Sequence, residues 1–542
     1  MNKLVVLYDV TGIQDYIFSS VKLKENIGAS IAVQNVLDTF LKDSILKDPI
    51  ESVCPNCAVN WKDYRELKIK DQDLDAEIIY IGGGNAMVIF KNEDLYKEVN
   101  RKLSIKILEE TGGNITVASS FIESDLSDFK QDRQRLVKQL AENKFKILHS
   151  SPLKGIAITR ECETDGLPAQ VCKKYDQKLD EYISFPADQK RNLEDKEFFE
   201  KIVPLPDHLK YPKELDDLGQ KEGENHIAVV HIDGNNMGKV LKEINSYEEM
   251  KAFSKEITEA YQNTMQSLIE KLIDAFKDGN FFNTLNLKKA DEVKYFLPIR
   301  VIVLNGDDVT FITNGRIGIP LAEAFLNQIG NRSILIGDRK ISLSACAGVA
   351  IVKSHFPFYR AYQLADELCR SAKLKGKILA RKSNKEMGNW LDFHIAYSGV
   401  TTELSLLRKR QYNVPGMKTI KEPEDKYGLE LEKYNLLWRP WCVMGQFDSK
   451  YQWKEFREKI LNHFQDTNEW PRSRLKKLRN ESIKSKAEIA ALLEEMKSRK
   501  KELPGFENSN DYFQENENHT PYFDALELLD FYIPIDHPGG ES

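Results

Sequence analysis

The distribution of hydrophobic and polar residues along the chain predicts one design used twice, a buried strand followed later by a β-hairpin. Residues 3–9 and 226–233 are mostly apolar runs that each end in a carboxylate, as in a strand covered on both faces. Residues 77–90 and 301–312 each contain two runs rich in β-branched residues around a glycine-containing turn, which is a strong hairpin signal. Residues 258–277 have helical periodicity, so a helix is expected between the second strand and its hairpin.

The two hairpins stand at nearly the same distance from their strands. Gly84 follows Asp9 by 75 residues, and Asp307 follows Asp233 by 74 residues. Two copies of one structural unit explain this spacing most simply. The turn at residues 82–85 is Gly-Gly-Gly-Asn where the second copy has Asn-Gly-Asp-Asp. The first copy therefore lacks both hairpin carboxylates and should not hold a metal pair, which leaves two interpretations open, a structural platform and a second nucleotide pocket.

The second copy carries the candidate chemistry. An isolated Asn-Gly-Asp-Asp also fits a solvated turn, because each of these residues is favoured in turns. Together with a strand-end carboxylate and a glycine-containing turn that leads into a helix, however, it fits a two-metal phosphoryl-transfer site, since Mg²⁺ prefers oxygen ligands and backbone amides meet phosphate. The candidate residues are Asp233, Asp307 and Asp308 as catalytic metal ligands, with Gly234, Asn235, Asn236, Met237, Gly238 and Gly306 around the nucleotide.

Four motifs, in order, carry a resemblance to a known family. They are Asp233-Gly-Asn-Asn-Met-Gly, Asn305-Gly-Asp-Asp, Ser342-Leu-Ser-Ala-Cys-Ala-Gly348-Val-Ala-Ile and Phe356-Pro-Phe-Tyr-Arg-Ala. This set resembles the second palm domain of the large polymerase-cyclase subunit of type III CRISPR effectors, a palm related to nucleotidyl cyclases of the GGDEF class. The segment around Lys373 and Lys377 is similar to the cyclase helix whose lysine reaches the phosphates, and residues 13–30 are similar to the opening of the first palm.

The resemblance implies an α+β fold with two ferredoxin-like palm domains, an intervening small domain and a C-terminal helical domain. The implied boundaries are residues 1–150 for the first, degenerate palm and 151–224 for a connector. Residues 225–400 would form the catalytic palm and residues 401–542 the helical domain, where the apolar pattern becomes helical.

The resemblance also implies an ATP-dependent nucleotidyltransferase that makes a cyclic oligoadenylate or related messenger in antiviral defence. Its partners would be other type III CRISPR effector subunits, with guide and target RNA bound through the complex. The resemblance implies that two Mg²⁺ or Mn²⁺ ions are held by Asp233, Asp307, Asp308 and the carbonyl of Ile232. It also implies that Lys373 and Lys377 stabilise the negative charge of the phosphates. The alternatives are a non-catalytic nucleotide-binding scaffold, transfer of AMP to a non-nucleotide acceptor, and a diguanylate cyclase.

Many members of that family begin with a nuclease domain marked by an adjacent His-Asp pair. None of the nine histidines here is followed by Asp, and the chain opens directly with the first predicted palm strand. We therefore expect no HD nuclease activity.

The cysteines raise the question of a zinc site. Cys54 and Cys57 have the spacing at which two thiolates share a tetrahedral zinc ion. The segment with Cys162 and Cys172 resembles a degenerate zinc knuckle of the same family, in which Asp165 replaces the second cysteine of the usual Cys-x-x-Cys-Gly motif. A Zn²⁺ site and a set of reduced, unliganded cysteines both fit the sequence.

Composition narrows the remaining classes. A formal net charge of -6 argues against a chain that coats nucleic acid by itself. The basic run at residues 472–479 is either a solvated face or a local nucleic-acid contact. Seven irregularly spaced cysteines do not form a secreted disulfide framework, and no run approaches the roughly 20 apolar residues of a membrane helix. We expect a cytoplasmic protein without membrane contact.

Overall fold

The computed structural model describes most of the chain, including every candidate ligand and all seven cysteines. The described residues are 2–20, 22–45, 53–63, 66–147, 155–156, 158–175, 179–194, 203–218, 225–275, 285, 287, 289–397, 403–417, 420–421, 432–507, 509–514 and 518–535. In this part of the chain, no helix is both long enough and apolar enough to cross a membrane.

Strands occur throughout the described residues and gather into two large sheets and several hairpins. They are β1 Lys3–Thr11, β2 Cys57–Ala58, β3 Ala76–Gly82, β4 Asn85–Phe90, β5 Thr116–Ser124, β6 Val171–Tyr175, β7 Leu179–Ile183, β8 Leu209–Lys210, β9 His226–Gly234, β10 Tyr295–Phe296, β11 Ile299–Asn305, β12 Asp308–Asn314, β13 Ser333–Ile336, β14 Arg339–Ser342, β15 Ala345–Lys353, β16 Asn389–Ile395, β17 Ile420–Lys421, β18 Glu432–Lys433 and β19 Trp441–Met444.

Two helices matter most for the site, Tyr247–Ala275, called the long helix, and Phe358–Ser383, called the lysine helix. The other α-helices are Ile13–Phe18, Leu23–Asn35, Lys42–Ile45, Lys68–Asp71, Glu93–Thr111, Phe129–Lys146, Phe185–Glu194, Met237–Glu243, Gly318–Gly330, Leu404–Gln411, Trp453–Phe456, Asn462–Gln465, Arg472–Ser482, Lys486–Ser498 and Tyr522–Leu528. Short 3₁₀ segments lie at Leu215–Leu218 and Ser449–Tyr451, and π-helical segments at Val36–Leu41 and Arg457–Leu461. The long helix begins 11 residues before the start that periodicity predicted, residue 258.

The two large sheets share one topology. Their strand orders are β2-β3-β4-β1-β5 and β11-β12-β9-β15-β16-β19. Each sheet contains four strands that occur along the chain as first, second, third and fourth and lie side by side in the order fourth-first-third-second. These are β5-β1-β4-β3 and β15-β9-β12-β11, and every neighbouring pair is antiparallel. Asp9 pairs with Asn85 in the first sheet as Asp233 pairs with Asp308 in the second. The predicted α+β class with a duplicated ferredoxin-like palm is confirmed.

The alternation of side chains along β9 explains why both of its faces are buried. Ala228, Val230 and Ile232 point into the core that contains the long helix and Gly318–Gly330. Ile227 and Val229 point to the other face and pack in the core that includes the start of the lysine helix. Since successive residues of a strand alternate between faces, Asp233 is placed on the face of the lysine helix and Gly234 on the face of the long helix.

The two sheets are joined through the long helix and a helix of the first copy. Ser30, in helix Leu23–Asn35, donates its hydroxyl to the carbonyl of Ile302 in β11. The long helix packs on β3, where the ammonium group of Lys251 lies 2.6 Å from the carboxylate of Glu77. The side chains of this pair are 2% and 0% exposed, so the two copies share a buried ion pair.

The C-terminal segment is less purely helical than predicted. Strand β19 pairs with β16 and becomes the sixth strand of the second sheet. Next to it the fully buried guanidinium of Arg439 contacts Asp524 at 3.2 Å and Glu527 at 2.7 Å. This strand has only four residues, so periodicity did not distinguish it from its surroundings.

The basic run of helix Arg472–Ser482 is largely neutralised by acidic side chains of neighbouring helices and turns. Arg472 and Lys476 both pair with Asp530. Arg474 lies 2.9 Å from Glu495, which also approaches Lys477 at 3.9 Å. These pairs favour the interpretation of the run as a solvated face of the protein.

The buried Lys251–Glu77 pair predicts a large asymmetry between single and double variants. Lys251→Met should lower the free energy of unfolding by about 3–5 kcal/mol, because Glu77 stays buried without its counter-charge. Adding Glu77→Gln should restore most of this loss. The control is Lys97→Met, whose exposed pair with Glu93 should be worth at most about 1 kcal/mol. Urea denaturation midpoints measure all three, and equal losses in the single and double variants would contradict the prediction.

Candidate functional site

The candidate site lies where β9 ends beside the turn between β11 and β12. Asp233 and Asp308 stand directly opposite each other in the β9–β12 ladder. Because Asn305 pairs with Asp308, Gly306 and Asp307 form the tip, one residue later than the Asn-Gly signal suggests. Gly306 has a φ of 61°, a left-handed conformation that glycine adopts without steric cost.

Asp307 lies over Gly234, on the face of the long helix. The amide of Gly234 donates to the carbonyl of Asp307 at 3.2 Å. A Cβ atom on Gly234 would stand 2.7 Å from Oδ2 of Asp307 and 2.9 Å from the hydroxyl of Tyr261. Any side chain at position 234 would therefore displace the carboxylate, and this close approach is what the glycine after the strand provides.

Asp308 points to the opposite face, toward the lysine helix. Its Oδ1 lies 3.5 Å from Nδ1 of His231, which also lies 3.1 Å from the hydroxyl of Thr310. The Asp308 side chain is 39% exposed, yet its Oδ1 is buried and has no hydrogen-bond partner within the described residues. Burial lowers the pKa of His231, so a neutral imidazole faces the carboxylate. The adjacent carboxylates Asp307 and Asp308 therefore diverge to opposite faces of the sheet, and Asp233 shares the face of Asp308.

Burial and mutual repulsion make two of the three carboxylates weak acids. Burial, reinforced by the charge of Asp233, raises the pKa of Asp307 to about 6. The same two causes, with a further contribution from Asp307, raise the pKa of Asp308 to about 8. Concentrated negative charge of this kind favours protonation or a bound cation.

Lys373 supplies the nearest positive charge. Its ammonium group lies 2.5 Å from Oδ2 of Asp233 and 2.8 Å from the carbonyl of Gly234. Burial opposes the charged form, but the charge of Asp233 outweighs it and raises the pKa of Lys373. Lys377, one turn further along the lysine helix, is exposed and makes no ion pair in the described part of the chain.

The glycine-rich turn after β9 is split between structural and open positions. Asn235 is 5% exposed and ties the turn to neighbouring loops, donating to the hydroxyl of Ser344 and the carbonyl of Gly388. Asn236 and Gly238 are exposed, and Asn236 has a left-handed φ of 61°. Met237 is half-buried and packs on the core. Of these, Asn236 and Gly238 face open space, whereas the side chain of Asn235 does not.

The carboxylates suit a divalent cation in their chemistry, although they are not assembled around one. Among the described residues, no three His, Cys, Asp or Glu side chains are grouped to hold a metal ion. Oxygen donors with raised pKa values and the unpartnered Oδ1 of Asp308 fit Mg²⁺ or Mn²⁺. The contact between Lys373 and Asp233 occupies an oxygen that such an ion would use. The main chain of Ile232 lies inside the sheet, flanked by Val309 and Ala347.

The zinc interpretation of the cysteines is not supported. The Cys57 thiol donates to the carbonyl of Cys54 at 2.6 Å, and Cys54 belongs to the core of the first copy. Cys162 packs in a separate small apolar cluster beside Thr164, and Cys172 is exposed. The Cys54–Cys57 pair and the Cys162 and Cys172 thiols are therefore not brought together into one shared zinc site.

The first copy has its own hairpin turn in contact with the second. The Gly83 amide donates to the side-chain oxygen of Asn305 at 2.9 Å. Gly84, which corresponds to Asp307, has φ of 75°, and a Cβ there would lie 2.4 Å from Cδ1 of Ile13. Asp9, the counterpart of Asp233, pairs with Lys144. Glycine therefore suits this turn position, because another residue would be strained at this φ and would have to displace the end of the Ile13 side chain.

Comparison with known proteins bears on the second sheet and on the whole fold. Residues 226–379 match the family model described as Cas10/Cmr2, second palm domain. The fold is similar to that of Csm1 from T. onnurineus, with a TM-score of 0.50, 14% identity, and coverage of 98% of this chain and 70% of that chain. The second sheet with its helices is therefore Cas10-like.

Two further structures are similar to the chain as a whole. The Csm1-Csm4 cassette in complex with one ATP has a TM-score of 0.53 and 12% identity, with 98% of this chain and 70% of that chain covered. The same cassette with pppApA has a TM-score of 0.52 and 13% identity, with 97% and 69% covered. At these identities the likeness establishes the fold. No curated protein matches the chain.

Three residues of the Cas10-like site were not found from the sequence. Tyr261 lies in the middle of the long helix, His231 is one of several side chains in a buried strand, and Asn305 seemed only a turn residue. No local motif marks Tyr261 or His231, because each acquires its place by packing against a distant segment. Asn305 opens the Asn-Gly-Asp-Asp motif, but its contact with Gly83 depends on the other copy. The position of His231, two residues before Asp233 on the same face, was the one available signal.

The raised pKa values of Asp307 and Asp308 predict how the stability of the metal-free protein responds to pH. A carboxyl group whose pKa is higher in the folded state contributes stability at low pH and loses it as the pH rises through that value. Stability should therefore fall from about pH 4, the ordinary carboxyl pKa, and level off above about pH 6 for Asp307 and above about pH 8 for Asp308. The charged or titratable groups around them are Asp233, Asp366, His231 and Lys373.

Thermal midpoints in EDTA at several pH values test this. The decrease in thermal midpoint between about pH 6 and pH 8 should be absent in Asp308→Asn. Mg²⁺ should raise the thermal midpoint of the wild type more at high than at low pH. Identical pH profiles for the two proteins would contradict the assignment.

Proposed function

We propose that this chain is an ATP-dependent nucleotidyltransferase that joins adenylate units into a cyclic oligoadenylate or a related cyclic nucleotide for antiviral signalling. One observation carries the proposal, the presence of three carboxylates and Lys373 at one end of β9 in a Cas10-like second palm. Csm1-Csm4 cassettes, which share the fold, have been solved in complex with ATP, cA3 and cA4.

In this mechanism Asp233 and Asp307 hold the metal pair, assisted by Asp308 and the carbonyl of Ile232. When bound there, Mg²⁺ or Mn²⁺ lowers the pKa of the attacking 3′-hydroxyl and neutralises charge on the leaving pyrophosphate. The 3′-oxygen forms a bond to the α-phosphorus of ATP while the bond to pyrophosphate breaks. The protein itself contributes position, negative charge for the cations and a site from which water is partly excluded.

Lys373 has two successive partners in this scheme. In the absence of ligand its ammonium group offsets the charge of Asp233 at 2.5 Å. When a nucleotide binds, the ammonium group leaves Asp233 for the triphosphate, which frees Asp233 Oδ2 for a cation. Lys377 extends the positive charge by one helical turn, and the open positions Asn236 and Gly238 leave the backbone of the glycine-rich turn accessible to phosphate.

Other subunits complete this activity in our proposal. The similar Csm1 chains are found in a cassette with Csm4, and we infer a comparable small subunit as the direct partner here. Guide and target RNA would then be held by the complex and not by this chain, whose net charge is -6. ATP is the proposed substrate.

The main alternative is a nucleotide-binding scaffold without catalysis. It leaves the cost of the three carboxylates unexplained, since Asp307 and Asp308 have raised pKa values in the absence of a cation. Transfer of AMP to a non-nucleotide acceptor uses the same metals and donor site, so it differs only in the product. Incubation with ATP and Mg²⁺ or Mn²⁺, followed by mass analysis of the products, separates the three.

The carboxylates at the turn should be essential for turnover and unimportant for folding. Asp307→Ala or Asp308→Ala should lower synthesis by at least about a thousandfold, corresponding to roughly 4 kcal/mol of lost transition-state stabilisation. The matched control is Asp338→Ala, because Gly337 and Asp338 form the exposed turn between β13 and β14. Product formation and thermal midpoints are measured for all variants. Near wild-type synthesis by either catalytic variant would refute the site.

The first copy presents the acceptor nucleotide in our proposal, next to the turn at Gly83. A side chain at position 83 tests this. No atom lies within 4 Å of a Cβ built on Gly83, but the φ of Gly83 is 61°, and leucine would be strained in this conformation. Asparagine tolerates this conformation better, so Gly83→Asn adds a side chain to the open space. It should weaken binding of a second ATP by about tenfold and leave the first ATP unaffected.

The control for that test is Gly166→Asn, at another glycine with positive φ and no atom within 4 Å of a Cβ. Calorimetric titration with a non-hydrolysable ATP analogue gives both affinities. Two unchanged affinities and normal synthesis would leave the first copy as a structural platform.

A further inference from the structure

Tyr261 presents a buried hydroxyl group beside the candidate metal ligands. The side chain is 0% exposed, near the middle of the long helix. Its hydroxyl has no hydrogen-bond partner within the described residues. A buried polar group left unsatisfied costs on the order of 1–3 kcal/mol, and in native proteins it calls for a specific explanation.

The position of this hydroxyl group suggests its partner. A Cβ on Gly234 would lie 2.9 Å from the Tyr261 hydroxyl and 2.7 Å from Oδ2 of Asp307, so both oxygens lie against the same side of Gly234. No side chain of the described residues donates a hydrogen bond to the Asp307 carboxylate. A donor without an acceptor thus lies beside a carboxylate without a side-chain donor.

We propose that Tyr261 is a positioning residue whose hydroxyl group donates a hydrogen bond to Oδ2 of Asp307 when this carboxylate binds a divalent cation. The inference rests on the proposed function, because it takes Asp307 to be a metal ligand. The hydrogen bond fixes the orientation of the carboxylate and leaves Oδ1 for the cation. Partners of this kind around metal ligands typically contribute about 10- to 100-fold in metal affinity or activity.

A purely structural role for Tyr261 makes the opposite prediction. If the ring only fills the core, removal of its unpartnered hydroxyl should be neutral or stabilising and should leave metal binding and synthesis unchanged. The positioning role predicts unchanged or increased stability in EDTA together with weaker metal binding. Stability is therefore expected to be the same for both roles, and the metal affinity of the variant distinguishes them.

The test compares Tyr261→Phe with Tyr8→Phe. Tyr8 is the matched control because it is also 0% exposed with an unpartnered hydroxyl, but it lies in β1 of the first copy, on the face opposite to Asp9. Urea denaturation in EDTA should find both variants at least as stable as the wild type. Direct Mn²⁺ titration and product assays should show about 10- to 100-fold losses for Tyr261→Phe alone.

A second measurement does not depend on activity or on the phenylalanine variant. Fluorotyrosine incorporated at position 261 should shift its ¹⁹F resonance when Mg²⁺ is added, whereas fluorotyrosine at position 8 should not. Wild-type Mn²⁺ affinity in Tyr261→Phe, or an unchanged resonance at position 261 in a protein that binds metal, would overturn the proposal. A wild type that binds Mn²⁺ but makes no nucleotide product would refute the proposed function alone, and one that binds no Mn²⁺ would refute both.

Discussion

Repulsion among carboxylates at the end of β9 is the constraint on which the site depends. The pairing of β9 with β12 sets Asp233 directly against Asp308, and the turn adds Asp307. Partial burial of these groups is tolerated because two of them have raised pKa values and because the Lys373 ammonium group lies on the third. The lysine helix is therefore an electrostatic component of the palm as well as a packing element. The same charges that cost stability without a cation form the binding potential for one.

The two palms show how one topology supports different chemistry. Both have the same strand order, and the counterparts of Asp233 and Asp308 are Asp9 and Asn85 in the same register. In the first copy the turn packs against the end of the Ile13 side chain at Gly84, whose φ of 75° favours glycine. The Gly83 amide donates to Asn305, at the turn between β11 and β12. The degenerate palm thus supports the other one through a turn-to-turn contact and through the buried pair of Lys251 and Glu77.

Local sequence was sufficient for the elements and for the charged residues of the site. Alternating and continuous apolar runs predicted β1, β9 and both hairpins, because the period of side chains along a strand is a local property. The nearly equal distance from strand to hairpin in the two copies predicted the repeat, because two copies of one topology have connections of similar length. Asp233, Asp307 and Lys373 could be named because turns, strand ends and the family resemblance all mark them. Helix ends were less accurate, and the long helix begins at Tyr247, 11 residues before the predicted start at residue 258.

Tertiary structure alone decided how these residues are oriented and what surrounds them. The sequence placed Asp307 and Asp308 side by side, but the sheet turns them to opposite faces, one toward Tyr261 and the other toward His231. It left open whether Cys54 and Cys57 meet Cys162 and Cys172, and the fold keeps Cys54 and Cys162 in separate clusters. It gave no sign that β19 would join the second sheet. Each of these depends on contacts between segments far apart in the chain, whose partners no local period or motif specifies.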